Sequence, residues 1–395
     1  MNQSSKTPSI VVINAGSSSI KFALYASEDL QPLGHGSIEG IGPRPTLHLS
    51  DALAGAWPQL PVPPANAVQD ELLVWLLDLV IAPLPVCRVI AVGHRVVHGG
   101  LHHARPMLVT EALLDDLEAL VPLAPLHEPY NIAGIRAAQA LWPDVPQIAC
   151  FDTAFHRGQD RLHQLFPIPR NLTESGILRF GFHGLSYDYI AGALPAIAGE
   201  RAKGRVIIAH LGSGASMCAL HGLRSVSSTM GFTALEGLMM ARRSGSIDPG
   251  LVLHLIERLG MAPEEVGRML RAESGLYGVS ELSDDVRTLQ ASDDPRALEA
   301  LDLFALRARQ AIGSLAATNG GLDVLVFTAG IGEHSAPVRR RICEDMQWLG
   351  IDLDLAANEQ GQTRISRIDS PVDVFVIPTN EEIVIARATA KLLAA

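Results

Sequence analysis

Four apolar residues, Ile10–Ile13, run up to Asn14, and a turn of small residues follows: Ala15, Gly16, Ser17, Ser18 and Ser19. Beyond it Ile20, Phe22 and Leu24 alternate with Lys21, Ala23 and Tyr25. A buried run, a small-residue tip and a period-two run predict a β-hairpin with an amide at one end of its tip and a lysine at the other. Further short apolar runs predict strands at Arg88–Val92, Gln147–Phe151, Arg205–Ala209, Val324–Thr328 and Val372–Ile377. Helical spacing of apolar positions marks Glu71–Ile81, Glu111–Val121, Tyr187–Ala198, Leu251–Leu259, Pro263–Arg271, Leu298–Asn319, a helix from Val338, and Ile383–Leu393. Ala52–Ala67, rich in Ala and Pro, predicts a loop. Strand, then a polar or glycine-rich end, then helix is the grammar of α/β proteins, whose ligands bind at strand ends. The recurrence of a strand with a glycine-rich end at residues 10, 205 and 324 predicts two related α/β halves, with the boundary near Asp152.

Length supports that division, because 395 residues exceed one core at roughly 150 residues per domain. Hydrophobic content of 48 % with 18 % charged residues predicts a packed globular chain. A net charge of −11 argues against nucleic acid or an anionic membrane as partner, but leaves room for small anions held by a few arginines. Cys87, Cys150, Cys218 and Cys343 are far apart and form no C-x-x-C pair, which suits a reducing compartment. Met1–Ser9 lacks the apolar region of a signal peptide, and Leu72–Val86 is broken by Asp78, Pro83 and Pro85, so no membrane span is expected and the protein reads as cytoplasmic.

The strand ends carry the candidate chemistry. The Gly16–Ser19 tip, Gly212–Ser216 and Gly330–Glu333 offer backbone N–H groups without bulky side chains, a pattern suited to the phosphates of a nucleotide. The first opens a strand rather than a helix and so is not a Walker loop; GSGASM lacks the third glycine of a dinucleotide fingerprint; H-R-D and D-F-G are absent. Arg95 and Arg243 lie in glycine-rich contexts and suit bidentate binding of a carboxylate or phosphate, the alternative being surface ion pairs. His94, His98, His127, His156 and His183 do not pair at i, i+4 around a Glu, so zinc is disfavoured. His183, between two glycines, is placed to hydrogen-bond a transferring phosphoryl group or to cap a turn. Glu381 and Glu382 could hold Mg²⁺ or simply complement a helix N-terminus. Ser227–Gly250 is long and irregular, which marks it as functional.

Taken in order, INAGSSSIKF at Ile13, GHRVVHGG at Gly93, FDTAFH at Phe151, GFHG at Gly181, MGFTALEGLMM at Met230, FTAGIGEH at Phe327 and IPTNEE at Ile377 resemble the acetate kinase family over nearly the whole chain. The resemblance implies two ribonuclease H-like α/β domains around a nucleotide cleft, the fold of acetate and sugar kinases, Hsp70 and actin. It implies an N-terminal domain over 8–152 completed by the helix 383–395, a nucleotide-binding and dimerisation domain over 153–382, and a homodimer. By motif, Arg95 and Arg243 would hold the acyl carboxylate and the moving phosphoryl group, with His183 hydrogen-bonded to that group and His127 in support. Asn14 and Glu381 would position Mg²⁺ or Mn²⁺, and Ser17, Ser19 and Lys21 would lie near the phosphates. His210, Leu211, Gly212, Ser213 and Gly214, with Asp285, Val286 and Arg287 and with Gly330, Ile331, Gly332, Glu333 and His334, would bind ATP. Val97, Leu126, Phe182 and Ala234 match the pocket for the acyl methyl group.

The chemistry agrees. A carboxylate of pKa near ~4 needs no base to become a nucleophile, so Asp152 is expected to orient an arginine or a metal-bound water. The difficulty is repulsion between two anions, which Arg, His and Mg²⁺ relieve. Ser213 and His334 stand where the family usually has Asn, Leu185 and Tyr187 where it has Thr and His, Glu128 and Tyr130 where it has Asn and Pro, and Ala234 where it has Pro. The expected reaction is reversible phosphorylation of acetate by ATP. The alternatives are a propionate or butyrate kinase, or a nucleotide-binding protein of the same fold without phosphotransfer.

Overall fold

A computed structural model describes residues 6–16, 19–57, 59–82, 84, 87–125 and 127–394. The chain divides into two compact units, Met1–Ala154 with Asn380–Ala395, and Phe155–Thr379.

The first unit is built on a seven-stranded sheet of order β4-β3-β2-β1-β5-β7-β6. The strands are β1 (Thr7–Ala15), β2 (Ser19–Ala26), β3 (Pro32–Glu39), β4 (Thr46–Leu49), β5 (Cys87–Val96), β6 (Met107–Leu108) and β7 (Gln147–Phe151). β1 pairs antiparallel with β2 and parallel with β5, placing Asn14 opposite Lys21 at the hairpin mouth. Val11, Ile13, Ile20, Phe22 and Leu24 form a core with Leu72, Leu73, Leu76 and Leu77 of the helical segment 69–81. The helix Glu381–Leu393 packs on β1 and β5. With both faces covered, β1 needs no alternation, which accounts for the unbroken run Ile10–Ile13. Gly93 on β5 permits the close approach: a Cβ there would lie 2.5 Å from Ile385 Cγ2 and 2.6 Å from Thr389 Oγ1.

The second unit repeats the plan in five strands, β8 (Arg205–Leu211), β9 (Ala215–His221), β10 (Arg224–Ser228), β11 (Val324–Thr328) and β12 (Asp373–Val376), in the order β10-β9-β8-β11-β12. An antiparallel run β8-β9-β10 is joined to parallel β11 and β12, as β1-β2-β3 is joined to β5 and β7. Val206, Ile208, Val324 and Val326 pack against Tyr187, Ile190 and Leu194 of the helix Gly184–Ala198. The long helix Pro295–Asn319 packs on β8 and β9; Asp294 caps its start by accepting from the Arg296 amide, and Gly320 ends it at φ +70°.

Two of the glycine-rich strand ends differ from the sequence expectation. The stretch after β11 reads as a glycine turn but folds as a short helix, Ala329–His334, ahead of a second helix, Ala336–Cys343. The Glu333 carboxylate makes this possible by accepting from the Ala329 and Thr379 amides at 2.8 and 3.1 Å. His210 and Leu211 are the last residues of β8, so the turn proper is Gly212–Gly214. Residues 229–248 form neither helix nor strand, as expected of that stretch. Among the described residues no helix is long and apolar enough to cross a membrane, and the four cysteines are buried.

Candidate active site

In the first unit the ends of β1, β5 and β7 bring Asn14, Arg95 and Asp152 together. Arg95 donates from Nε to both Asp152 oxygens, at 3.2 and 3.1 Å, and from Nη2 to Oδ2 at 2.5 Å. Its Nη1 donates to Asn14 Oδ1 at 3.1 Å, and Glu381 Oε2 stands 3.9 Å from Nε. Asp152 is buried and Arg95 nearly so, so the pair is fixed far more tightly than a surface bridge. Burial works against the Arg95 charge, and the carboxylates of Asp152, Glu381 and Glu382 outweigh it, raising its pKa. Both Asp152 oxygens are committed to Arg95.

Glu381 opens the C-terminal helix behind its cap Asn380, whose Oδ1 accepts from the Ile383 amide. Burial pushes the Glu381 carboxyl up, Arg95 pulls it back, and Asp152 and Glu382 push it up again. Among the described residues no group of three or more His, Cys, Asp or Glu forms a metal cage. The hard oxygens of Asn14, Asp152 and Glu381 do fit a small divalent cation that takes one or two protein ligands and completes its shell with water and phosphate oxygens.

Asn131 holds these strand ends in register, accepting from the Val97 amide at 2.9 Å and donating to the Ala15 carbonyl at 2.8 Å. Its role is invisible in the sequence, where it is one more helix residue. His127 occupies the N-cap of the helix Glu128–Leu141, and Val97 is buried at the end of β5. Ser19 and Lys21 lie on β2 beyond the hairpin tip. Ser17 and Leu126 lie outside the described residues.

Glu128 is fully buried, and neither of its carboxyl oxygens makes a full hydrogen bond. Burial pushes its carboxyl up to about 8; the His98 backbone amide and Arg95 pull it down, while Asp152 pushes it further up. The folded chain therefore keeps a proton that the unfolded chain releases from about pH 4.5, and stability falls as pH rises from 4.5 to about 8. Glu128→Gln is expected to flatten the melting temperature across that window. An equal slope in parent and variant would assign the pH dependence elsewhere.

In the second unit the β8–β9 tip Gly212–Gly214 is ringed by cationic or potentially cationic groups. A Cβ at Gly214 would lie 3.3 Å from His183 Nε2 and 3.8 Å from Arg243 Nη1, so the glycine leaves the space that both face. The His183 and His210 rings stack with centroids 4.3 Å apart. His183 Nδ1 meets Ser216 Oγ at 2.8 Å, and His210 Nδ1 meets Ser186 Oγ at 2.8 Å. His183 is a left-handed residue at φ +58°, capping the helix Gly184–Ala198. Arg243 donates to the Ala234 carbonyl at 3.0 Å, and Phe182 is buried with its carbonyl accepting from His156 Nε2 at 3.0 Å.

Asp285 caps the short helix Val286–Gln290 and pairs with the exposed Arg287, which draws the Asp285 carboxyl below its ordinary value. His334 is exposed, whereas the Glu333 side chain is taken up by backbone amides. Arg339 was missed by sequence reasoning. It is 1 % exposed and donates to the carbonyls of Gly332 and Glu333 and to the side chain and carbonyl of Asn358. It thereby anchors the segment that follows β11. His94 and His156 are internal: burial pushes each to about 4, and they bond Gln147 and Ser225.

The profile of the acetokinase family matches residues 9–387. Acetate kinase of Rhodopseudomonas palustris (strain ATCC BAA-98 / CGA009) is 50 % identical over 385 residues, covering 96 % of this chain and 96 % of that protein. Acetate kinase of Nitrobacter hamburgensis is 49 % identical over 394 residues, 98 % of this chain and 96 % of that one. Among solved structures, a propionate kinase from Francisella tularensis superposes with a TM-score of 0.90 at 34 % identity, covering 98 % of this chain and 100 % of that one. Acetate kinase of Porphyromonas gingivalis superposes at 0.86 with 33 % identity, over 98 % and 100 % of the two chains.

Proposed function

Because the chain belongs to the acetokinase family, we propose that it transfers the γ-phosphoryl group of ATP to acetate, giving acetyl phosphate and ADP, and runs the same reaction in reverse. Its fold is that of acetate and propionate kinases, shared with sugar kinases, Hsp70 and actin. The observation that carries the reading is the Arg95 guanidinium, locked in place by Asp152 and Asn14 at the strand ends. A nucleotide binder has no need of such a clamp; a carboxylate that must approach a phosphate does.

The substrate carboxylate, ionised at neutral pH, attacks γ-phosphorus as the bond to the β–γ bridging oxygen breaks and ADP leaves with the electron pair. Arg95 and Arg243 take up the charge of the acceptor and of the moving group, and His183 donates a hydrogen bond to that group. His127 supports it, and Asp152 keeps Arg95 oriented. Mg²⁺ would be held by Asn14 and Glu381 and would supply charge neutralisation at the phosphates. The nucleotide is assigned to the Gly212–Gly214 tip, with the Asp285–Arg287 pair and the segment 330–334 around it. Val97, Phe182 and Ala234 are assigned to the acyl methyl group.

The test is trapping of acyl phosphate as hydroxamate, with Mg-ATP and acetate, propionate or butyrate in turn. Acetate leading supports the reading. Propionate or butyrate leading moves the assignment within the family, and no product with any acid overturns it. Ala234 in place of the family's usual proline widens the pocket, and one methylene is discriminated by only about 1–3 kcal/mol. Propionate is therefore expected to reach a kcat/KM within about a hundredfold of acetate. A ratio of several hundred would show that Ala234 does not set the pocket.

A further inference from the structure

A buried hydrogen-bond chain runs from Tyr187 through Ser216 to His183, and its polarity can be read by asking where each proton goes. Tyr187 is fully buried, and its hydroxyl meets Ser216 Oγ at 2.5 Å; Ser216, also fully buried, meets His183 Nδ1 at 2.8 Å on its other side. Among the described residues Tyr187 and Ser216 make no other side-chain hydrogen bond. A serine hydroxyl has one proton and two acceptor positions, and a phenol has one proton to give.

Three arrangements are possible. If His183 donates from Nδ1 to Ser216 and Ser216 to Tyr187, the Tyr187 proton is buried without an acceptor. If both His183 and Tyr187 donate to Ser216, the serine proton is left without one. Only Tyr187 donating to Ser216, and Ser216 donating to His183 Nδ1, leaves every buried proton bonded. In that arrangement Nδ1 is an acceptor and the ring carries its proton on Nε2, the nitrogen that faces Gly214 and, with Arg243, the open side of the β8–β9 tip. The neighbours agree. The His210 ring is stacked on His183 and the Arg243 guanidinium lies on the Nε2 side, so a second positive charge on His183 would meet one group from β8 and another from the loop 229–248.

We infer that Ser216 is a positioning residue that holds His183 as the neutral imidazole with its proton on Nε2, ready to donate to the transferring phosphoryl group, and that Tyr187 permits this by giving its proton to Ser216 rather than competing for the serine's. The inference rests on the proposed role of His183. It also gives Tyr187 a meaning, since the histidine usual in the family at this position can either give or accept a proton, whereas a phenol with one partner gives.

The experiment reads the tautomer directly. The full-length protein is labelled with ¹⁵N-histidine, the His183 ring is assigned among the 14 histidines by its loss in His183→Gln, and ring ¹H–¹⁵N correlations are recorded near neutral pH. The parent is expected to show an unprotonated Nδ1 and a protonated Nε2. Ser216→Ala is expected to average the two nitrogens and to lower kcat by at least about tenfold with little change in either KM, because a misplaced tautomer removes the donor only from the transition state. Tyr187→Phe, where Ser216 still has only Nδ1 to donate to, is expected to keep the parental tautomer. Tyr187→His, which can accept the Ser216 proton, is expected to mix the two.

A parent with its proton on Nδ1, or a Ser216→Ala spectrum identical to it, would overturn the inference. An unmixed Tyr187→His spectrum would remove Tyr187 from it. A tautomer that shifts in Ser216→Ala with kcat unchanged would leave the inference standing and would instead strike out His183 as the phosphoryl donor.

Discussion

Arg95→Ala is expected to lower kcat/KM for acetate by about 10²–10⁴-fold, the largest effect of any single change in the first unit. Three carboxylates, Asp152, Glu381 and Glu382, act on this guanidinium, and Asn14 shares its donors. Removing it leaves a buried acid without its partner, a loss of about 3–5 kcal/mol when one member of such a pair goes. The substrate carboxylate and the phosphates then approach a site of their own sign. Arg95→Lys keeps the charge but not the fork that grips Asp152 and Asn14 at once, so it is expected to recover only part of the rate. Hydroxamate kinetics with a melting curve on each variant separate the two consequences. Activity within tenfold of the parent, in a folded Arg95→Ala protein, would remove Arg95 from the acyl clamp.

Arg339→Ala is expected to have the largest effect on stability. The guanidinium is almost wholly buried and pairs with no carboxylate among the described residues; its donors go to three backbone carbonyls and one side-chain amide oxygen, at 2.8–2.9 Å. Truncation leaves those acceptors unsatisfied around a cavity, with a cost of about 3–5 kcal/mol and a fall in melting temperature on the order of 10 °C. Two of the carbonyls belong to Gly332 and Glu333, in the segment assigned to the nucleotide, so KM for ATP is expected to rise at temperatures where the variant is still folded. Arg339→Lys offers a point charge instead of a fork and is expected to rescue little. A melting temperature within two or three degrees of the parent would mean that water replaces the guanidinium there.

Much of the architecture was legible because strand runs and strand ends are local signals. Gln147–Phe151 and Val324–Thr328 are strands over the residues their apolar runs mark, and the hairpin around Gly16 pairs as its alternation suggests. Other strands left no such trace. β9 is buried along six consecutive residues, so it has no alternation to read, and β3, PLGHGSIE, is interrupted by glycines. The Ala329–His334 helix was hidden because its two glycines read as a turn and its ordering group, Glu333, acts through a strand end 46 residues away.

The site divides along the same line. Residue types at strand ends, such as Arg95 and Asp152, announce themselves, and the structure brings that pair together. Residues that work by burial do not. Glu128 reads as an ordinary acid in the first turn of a helix, and Arg339 as an ordinary basic residue on one, until the packing that sets their energetics is known.

The helix that covers β1 and β5 is encoded after the whole of the second unit, and this sets an order of events during synthesis. Residues 155 to 379 take about 10–45 s to make at ~5–20 residues per second, and for that time the sheet around Gly93 lacks the helix that closes it. The half of the chain that leaves the ribosome first is therefore the last to be completed. Its hydrophobic sheet face must be shielded or tolerated in the meantime, and a ribosome that stops short of residue 381 releases a first unit with that face uncovered.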